Sequence, residues 1–189
     1  MTKAELRTVY KEKRKNMSVQ ELEKFNDLIL INFQKINLYF IRCVHTYLPS
    51  LKLREPDTAT IIRYLQFKNP GLKVVVPKID IHSGTMYHLR FDETVELINN
   101  SYGIDEPVEE NKITENEIDL VLVPLLVFDK KGFRVGYGKG YYDQFLAKCR
   151  KDVIKIGLSF FEPVDEIPDL NAFDVSLNYC VTPEKLFIF

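Results

Sequence analysis

Residues 119–143 read DLVLVPLLVFDKKGFRVGYGKGYYD, and this stretch decides the fold. Asp119 to Val127 is a nearly unbroken apolar, β-branched run, interrupted by Pro124. Such a run fits an inner parallel strand buried on both faces. From Phe128 the composition turns to glycine, lysine and arginine, and a helix is expected from about Gly140 to Cys149. A strand that empties into a glycine-rich loop and then a helix is the building unit of an α/β sheet. Open sheets of that kind take their ligands at the carboxyl ends of their strands.

Within the loop, Gly136, Gly138 and Gly140 alternate with Tyr137 and Lys139. Glycine at every second position lets the backbone approach a ligand closely and leaves N–H groups free to point inward. The helix that follows starts with unpaired N–H groups and a dipole that favours an anion. Arg134 and Lys139 add positive charge, so the segment reads as a phosphate cradle. It is not a Walker loop, because Gly140 rather than Ser or Thr follows the lysine, and Tyr141 stands where a dinucleotide fingerprint needs its third glycine. The competing reading is a flexible connection with incidental charge; the flanking Arg, Lys and Tyr-Tyr-Asp helix start weigh against it. Asp143 either complements the helix N-terminus or holds magnesium beside phosphates. Tyr141 and Tyr142 diverge on a helix, one suited to the core and the other to a ligand.

Outward from this segment, strands and helices alternate. Thr2-Lys3-Ala4-Glu5 and Ser18-Val19-Gln20-Glu21 are capping-box patterns that open two helices. The second buries Leu22, Phe25, Ile29 and Phe33 at a spacing near 3.6. Residues 40–48 fit a strand stopped by Pro49, Asp57 caps a short helix, and Asn69-Pro70-Gly71 is a turn. Val74 to Val76 fits a buried strand, and Ser83-Gly84 a hairpin between residues 77–82 and 85–91. Residues 99–117 read as a polar surface loop. Strands are expected over 153–158 and, last, 177–181, separated by a loop over 162–174. The pattern gives one three-layer α/β/α domain over residues 1–189, with a mostly parallel central sheet.

Composition narrows the function. The 189 residues carry a net charge of −1, which points to neither nucleic acid nor a membrane surface. The three cysteines are far apart and lack a CxxC pair, so neither a disulfide framework nor a zinc ribbon is expected, and a reducing, cytoplasmic setting fits. Lys3, Arg7 and Arg14 share a face of the first helix, a solvated basic face unless that helix docks beside the glycine loop. His45, His82 and His88 have no metal-ligand spacing and read as packing or surface residues. No nucleophile motif is present, which favours chemistry by positioning and electrostatics, as in phosphoryl transfer.

The stretch PLLVFDKKGFRVGYGKGYYDQFL resembles the signature of the 5-formyltetrahydrofolate cyclo-ligase family, also called methenyltetrahydrofolate synthetase. KAELR, YLPSLKLREPDTATII and FDVSLNYCVTPE are weaker similarities in the same order, so the resemblance spans nearly the whole chain. It implies ATP-dependent cyclisation of 5-formyltetrahydrofolate to 5,10-methenyltetrahydrofolate, by phosphorylation of the formyl oxygen and attack by N10. It implies that Lys3, Arg7, Arg134 and the residues Gly136, Tyr137, Gly138, Lys139, Gly140, Tyr141 and Tyr142 hold ATP. Leu48 and Glu55, with Tyr137, Gly138, Lys139, Gly140 and Tyr141, would meet the folate. Arg134 and Lys139 are the expected catalytic charges, and Asp143 with Asn178 the expected magnesium ligands. Asn178 stands where the family usually has aspartate, and Phe173 where many relatives have histidine; Asp174 is a possible substitute ligand. The expected partners are these small molecules alone, met by a monomer. The rivals are another ATP-using enzyme on this scaffold, or a non-catalytic nucleotide- or RNA-binding module.

Overall fold

The computed structural model describes residues 1–80, 83–92, 97–99, 105–107 and 111–189. Helices α1 (Lys3–Lys15) and α2 (Val19–Phe33) start at the two capping boxes, with Thr2 and Ser18 accepting from the backbone of Glu5 and Glu21. Strand β1 (Cys43–His45) is followed by α3 (Thr58–Lys68), capped by the Asp57 carboxylate. Strands β2 (Lys73–Asp80) and β3 (Thr85–Phe91) form an antiparallel hairpin. Val74 to Val76 is therefore the buried start of the hairpin's first strand, not a separate element. Residues 81 and 82, including His82, lie outside the described residues.

The expected surface loop over 99–117 is partly structured. Strands β4 (Leu97–Asn99) and β5 (Asp105–Pro107) pair antiparallel, and Glu115–Glu117 makes one 3-10 turn. The run from Asp119 is also divided. Strand β6 (Leu120–Val123) ends at Pro124, which has no N–H to give a ladder. Strands β7 (Val127–Phe128) and β8 (Arg134–Val135) then form a small hairpin of their own. Its turn is built on Asp129, fully buried, whose Oδ1 accepts from the N–H groups of Lys131 and Phe133 at 2.9 and 3.0 Å. Helix α4 (Tyr141–Lys148) and strands β9 (Ile154–Leu158) and β10 (Tyr179–Val181) follow. The chain does not stop its sheet at β10: β11 (Leu186–Ile188) folds back antiparallel on it, the turn closed by Thr182 N–H to Lys185 O at 3.0 Å.

The main sheet has seven strands in the order β11-β10-β9-β6-β1-β2-β3. From β10 to β2 neighbours are parallel, and the antiparallel β11 and β3 form the edges. Side chains alternate across it, as a period of two requires. Val44, Val74, Leu120 and Leu122 face α2 and α3, packing on Ile29, Phe33, Ile61 and Leu65. Cys43, Val75, Val121 and Val123 face Phe145 and Leu146 of α4. This is the expected three-layer α/β/α arrangement. Helix α1 packs elsewhere: Leu6 and Tyr10 join Leu126, Val127, Val135 and Ile167 against the β7–β8 hairpin. Burying each such side chain contributes roughly 1.5–3 kcal/mol, which seats α1 beside the glycine loop.

Candidate active site

The order of strands places the site. From β1 the chain moves outward to β2, and from β6 it moves outward to β9, in the opposite direction. The direction of winding thus reverses between β1 and β6, which are adjacent, and ligand crevices form outside the carboxyl ends at such a point. Two segments leave the sheet there. Residues 46–57 follow β1 and carry Leu48 and Glu55; residues 124–140 follow β6 and carry the glycine loop.

The loop's geometry depends on two glycines. Gly138 has φ of +93°, and a Cβ there would lie 3.1 Å from Nε of Arg7. Gly140 has φ of +74° and is the N-cap of α4. Both conformations favour glycine. Unlike Thr2, Ser18 and Asp57 at the other three helices, Gly140 offers the first N–H groups of α4 no side-chain acceptor. Lys139 is exposed beside this uncapped start and has no side-chain partner among the described residues.

The two cationic groups of the N-terminal Lys-x-x-x-Arg are drawn in from α1. Arg7 donates from Nε to Gly136 O at 2.9 Å. Lys3 pairs with Asp174 at 2.5 Å, and its backbone N–H is held by Asp169. Four residues beyond Arg7, Lys11 Nζ lies 5.7 Å from the Tyr137 ring centroid. Arg7 is therefore docked on the loop and Lys3 on the 169–174 segment, while Lys11 stays exposed.

Arg134 is buried, its guanidinium 2.9 Å from Asp143 Oδ1 and 2.5 Å from Val175 O. Burial lowers its pKa while Asp143 opposes the shift. Asp143 Oδ1 also accepts from Val175 N–H at 3.2 Å. The structure thus joins Arg134 and Asp143 in one unit under the cradle. Asn178 is held elsewhere, at the start of β10, where its Oδ1 accepts from Lys155 N–H at 2.9 Å. Among the described residues no group of three or more His, Cys, Asp or Glu could hold a metal ion. A magnesium ion here would rest on Asp143 and the oxygens of a bound phosphate, a donor set that suits it, since magnesium needs only one or two carboxylates beside phosphates.

The tyrosine pair divides. Tyr142 turns inward, packing near His45 and Phe145, with its hydroxyl buried and without a partner among the described residues; burial raises its pKa. Tyr141 stays half-exposed. Both described histidines of the set, His45 and His88, are buried packing residues.

Sequence pattern missed the contact that joins the two segments. Tyr137 donates its hydroxyl proton to Glu55 Oε1 at 2.6 Å, and Glu55 Oε2 accepts from Ser50 N–H at 2.9 Å. Burial, then the Glu55 charge, pushes the Tyr137 pKa up, so the phenol stays neutral and donates. Leu48, half-exposed, lies on the same segment as Glu55. Arg14, two turns after Arg7, is also drawn in, donating to Leu125 O at 2.7 Å and to the Tyr137 hydroxyl at 3.1 Å.

The chain is similar to known proteins along most of its length. The model of the 5-formyltetrahydrofolate cyclo-ligase family matches residues 1–183. The probable 5-formyltetrahydrofolate cyclo-ligase of Schizosaccharomyces pombe is 36% identical over 160 residues, spanning 76% of this chain and 75% of that one. The 5-formyltetrahydrofolate cyclo-ligase of Haemophilus influenzae is 32% identical over 132 residues, 64% of this chain and 68% of that one. The NMR structure of Aquifex aeolicus 5,10-methenyltetrahydrofolate synthetase superposes with a TM-score of 0.81 at 26% identity, covering 100% of this chain and 93% of that one.

Proposed function

The chain belongs to the 5-formyltetrahydrofolate cyclo-ligase family, and on that premise we propose that it closes 5-formyltetrahydrofolate to 5,10-methenyltetrahydrofolate, with ATP as co-substrate. The observation that carries the reading is the meeting of two segments at the β1–β6 reversal, where Tyr137 of the glycine loop donates to Glu55. The glycine loop brings there an uncapped helix start and the exposed Lys139, and the other segment brings the Glu55 carboxylate.

The chemistry follows from the substrate. The formyl group on N5 is an amide, so its carbon is a poor electrophile and its oxygen a poor leaving group. Attack of the formyl oxygen on the γ-phosphorus forms a C–O–P bond and releases ADP. N10 then attacks the carbon, phosphate leaves with the C–O bond electrons, and the N10 proton is lost to solvent or phosphate. The protein must align the three in-line atoms and neutralise the equatorial oxygens.

Lys139 and the first N–H groups of α4 stabilise the phosphoryl oxygens from the loop side. Arg134 orients Asp143 and contributes positive charge from below. Arg7 and Lys3 approach the nucleotide from α1, and Gly136 to Tyr142 form its wall. Magnesium, when bound with ATP, supplies charge neutralisation at the phosphates; Asp143 would hold it. Asn178 would join only by giving up the Lys155 N–H. Leu48, Glu55 and Tyr137, with Gly138 to Tyr141, border the folate.

The test is the absorbance of methenyltetrahydrofolate formed from 5-formyltetrahydrofolate. Product is expected only with ATP and magnesium together. Absence of product under all conditions would sink the reading.

A further inference from the structure

We propose that Arg14 is a positioning residue of this site: through the Tyr137 hydroxyl, its guanidinium fixes the Glu55 carboxylate in the orientation that receives the folate ring. This rests on the function proposed above.

Arg14 is 2% exposed, and among the described residues no carboxylate pairs with it directly. A guanidinium that deep loses several kcal/mol of hydration and recovers it only through well-formed partners. Its partners are a carbonyl, Leu125 O at 2.7 Å, and a phenol, the Tyr137 hydroxyl at 3.1 Å, while its Nε has none among the described residues. The nearest opposite charge along this chain of bonds is Glu55, one hydroxyl further, at 2.6 Å from Tyr137.

The polarity of the chain is forced. Guanidinium can only donate and an ionised carboxylate can only accept. The Tyr137 hydroxyl must therefore accept from Arg14 and donate to Glu55. Ser50 N–H fixes the other carboxylate oxygen at 2.9 Å. Each oxygen has about two acceptor directions, so Glu55 keeps acceptor capacity for N–H donors of a bound ring, in a direction set before the ring arrives. Arg14 also ties Leu125, where the chain leaves β6, to Tyr137, in the middle of the glycine loop. One side chain thereby holds the carboxylate and the loop in a single frame, and pre-organisation of this kind lowers the cost of binding.

The experiment measures KM for 5-formyltetrahydrofolate and for ATP separately in the full chain and in Arg14→Met, Tyr137→Phe and the double variant. Tyr137→Phe removes only the hydroxyl and keeps the ring's packing. Each single change is expected to raise the folate KM about tenfold or more, the loss of a hydrogen bond to a charged group, and to leave the ATP KM within about twofold. The double variant is expected to be no worse than the worse single one, because both break the same chain. Arg14→Lys keeps the charge but lacks the planar fork that serves two acceptors; it replaces Arg14→Met in the cycle should the latter not fold. An unchanged folate KM, equal rises in both KM values, or additive losses in the double variant overturn the relay while leaving the cyclo-ligase reading in place. A wild-type chain that makes no methenyl product overturns that reading, and the relay with it.

Discussion

Two buried arginines hold the two sides of the glycine loop, and they reach very different distances along the chain. Arg134 pairs with Asp143, nine residues away and within the same quoted segment. Arg14 reaches Leu125 and Tyr137 across 111 and 123 residues, and Tyr137 reaches Glu55 across 82. The first pair is a local motif, whose hairpin and helix bring its members together almost wherever the segment folds. The second exists only because α1 docks on the β7–β8 hairpin and because β1 and β6 lie side by side. The comparison separates a proposed phosphate side built mainly within one segment from a proposed folate side assembled from three.

Substitutions on the two sides should therefore fail differently. The largest effect is expected on the phosphate side. Lys139→Ala should lower turnover by about 10²–10³, the usual cost of losing a group aimed at developing charge, with thermal stability unchanged because the side chain is exposed. Arg134→Ala should lose turnover comparably and also stability, by about 3 kcal/mol, because it leaves the partly buried Asp143 without its partner. Turnover with circular dichroism melting separates the two. Near-normal turnover in both variants would break the comparison.

On the folate side Glu55→Ala should raise the KM for 5-formyltetrahydrofolate roughly tenfold to a hundredfold, with the ATP KM nearly unchanged. Initial rates with each substrate varied in turn provide the check. A parallel rise in both constants would mean that the two sides act as one unit.

The smallest effect concerns the sheet face beneath α4, where apolar packing encloses polar groups. His45 is fully buried, both ring nitrogens lack a hydrogen-bond partner among the described residues, and it stacks edge-on to His88 with ring centroids 5.1 Å apart. Burial holds the His45 pKa well below the ordinary value of 6.5 and pushes His88 down to about 4, against the pull of Glu115. The unfolded chain therefore binds more protons than the folded one between about pH 4 and 6.5, and stability rises with pH through that window. The contribution is fully present above about pH 6.5 and is lost as pH falls towards 4. His88→Leu should flatten this acid limb in a series of melting curves while changing stability little at pH 7.5. An acid limb of unchanged slope would show that His88 is not among the groups responsible.

How legible the molecule was follows the same division. Thr2, Ser18 and Asp57 announced three helix starts correctly, since a cap and its N–H partners lie within three residues. The glycine loop was legible because alternate glycines and a helix start are local features. The apolar run from Asp119 reads as one strand, but Pro124 cannot donate to a ladder, so β6 stops there and β7 pairs in a different sheet. Strand β11 was missed because Leu186–Ile188 is short and gains its pairing only from β10. Local pattern does not say which of Tyr141 and Tyr142 turns inward; packing of Tyr142 on His45 and Phe145 decides it.

By itself the sequence determined the α/β layering, the capped helices and a glycine loop that carries Lys139 between Arg134 and Asp143. It did so because hydrophobic period, capping and glycine freedom act over a handful of residues. The tertiary structure decided that α1 is docked rather than solvated, that Arg14 is buried, and that Tyr137 and Glu55 meet. Those outcomes depend on which strands become neighbours and which way the chain winds between them, and no local pattern around Arg14, Glu55 or Tyr137 contains that information.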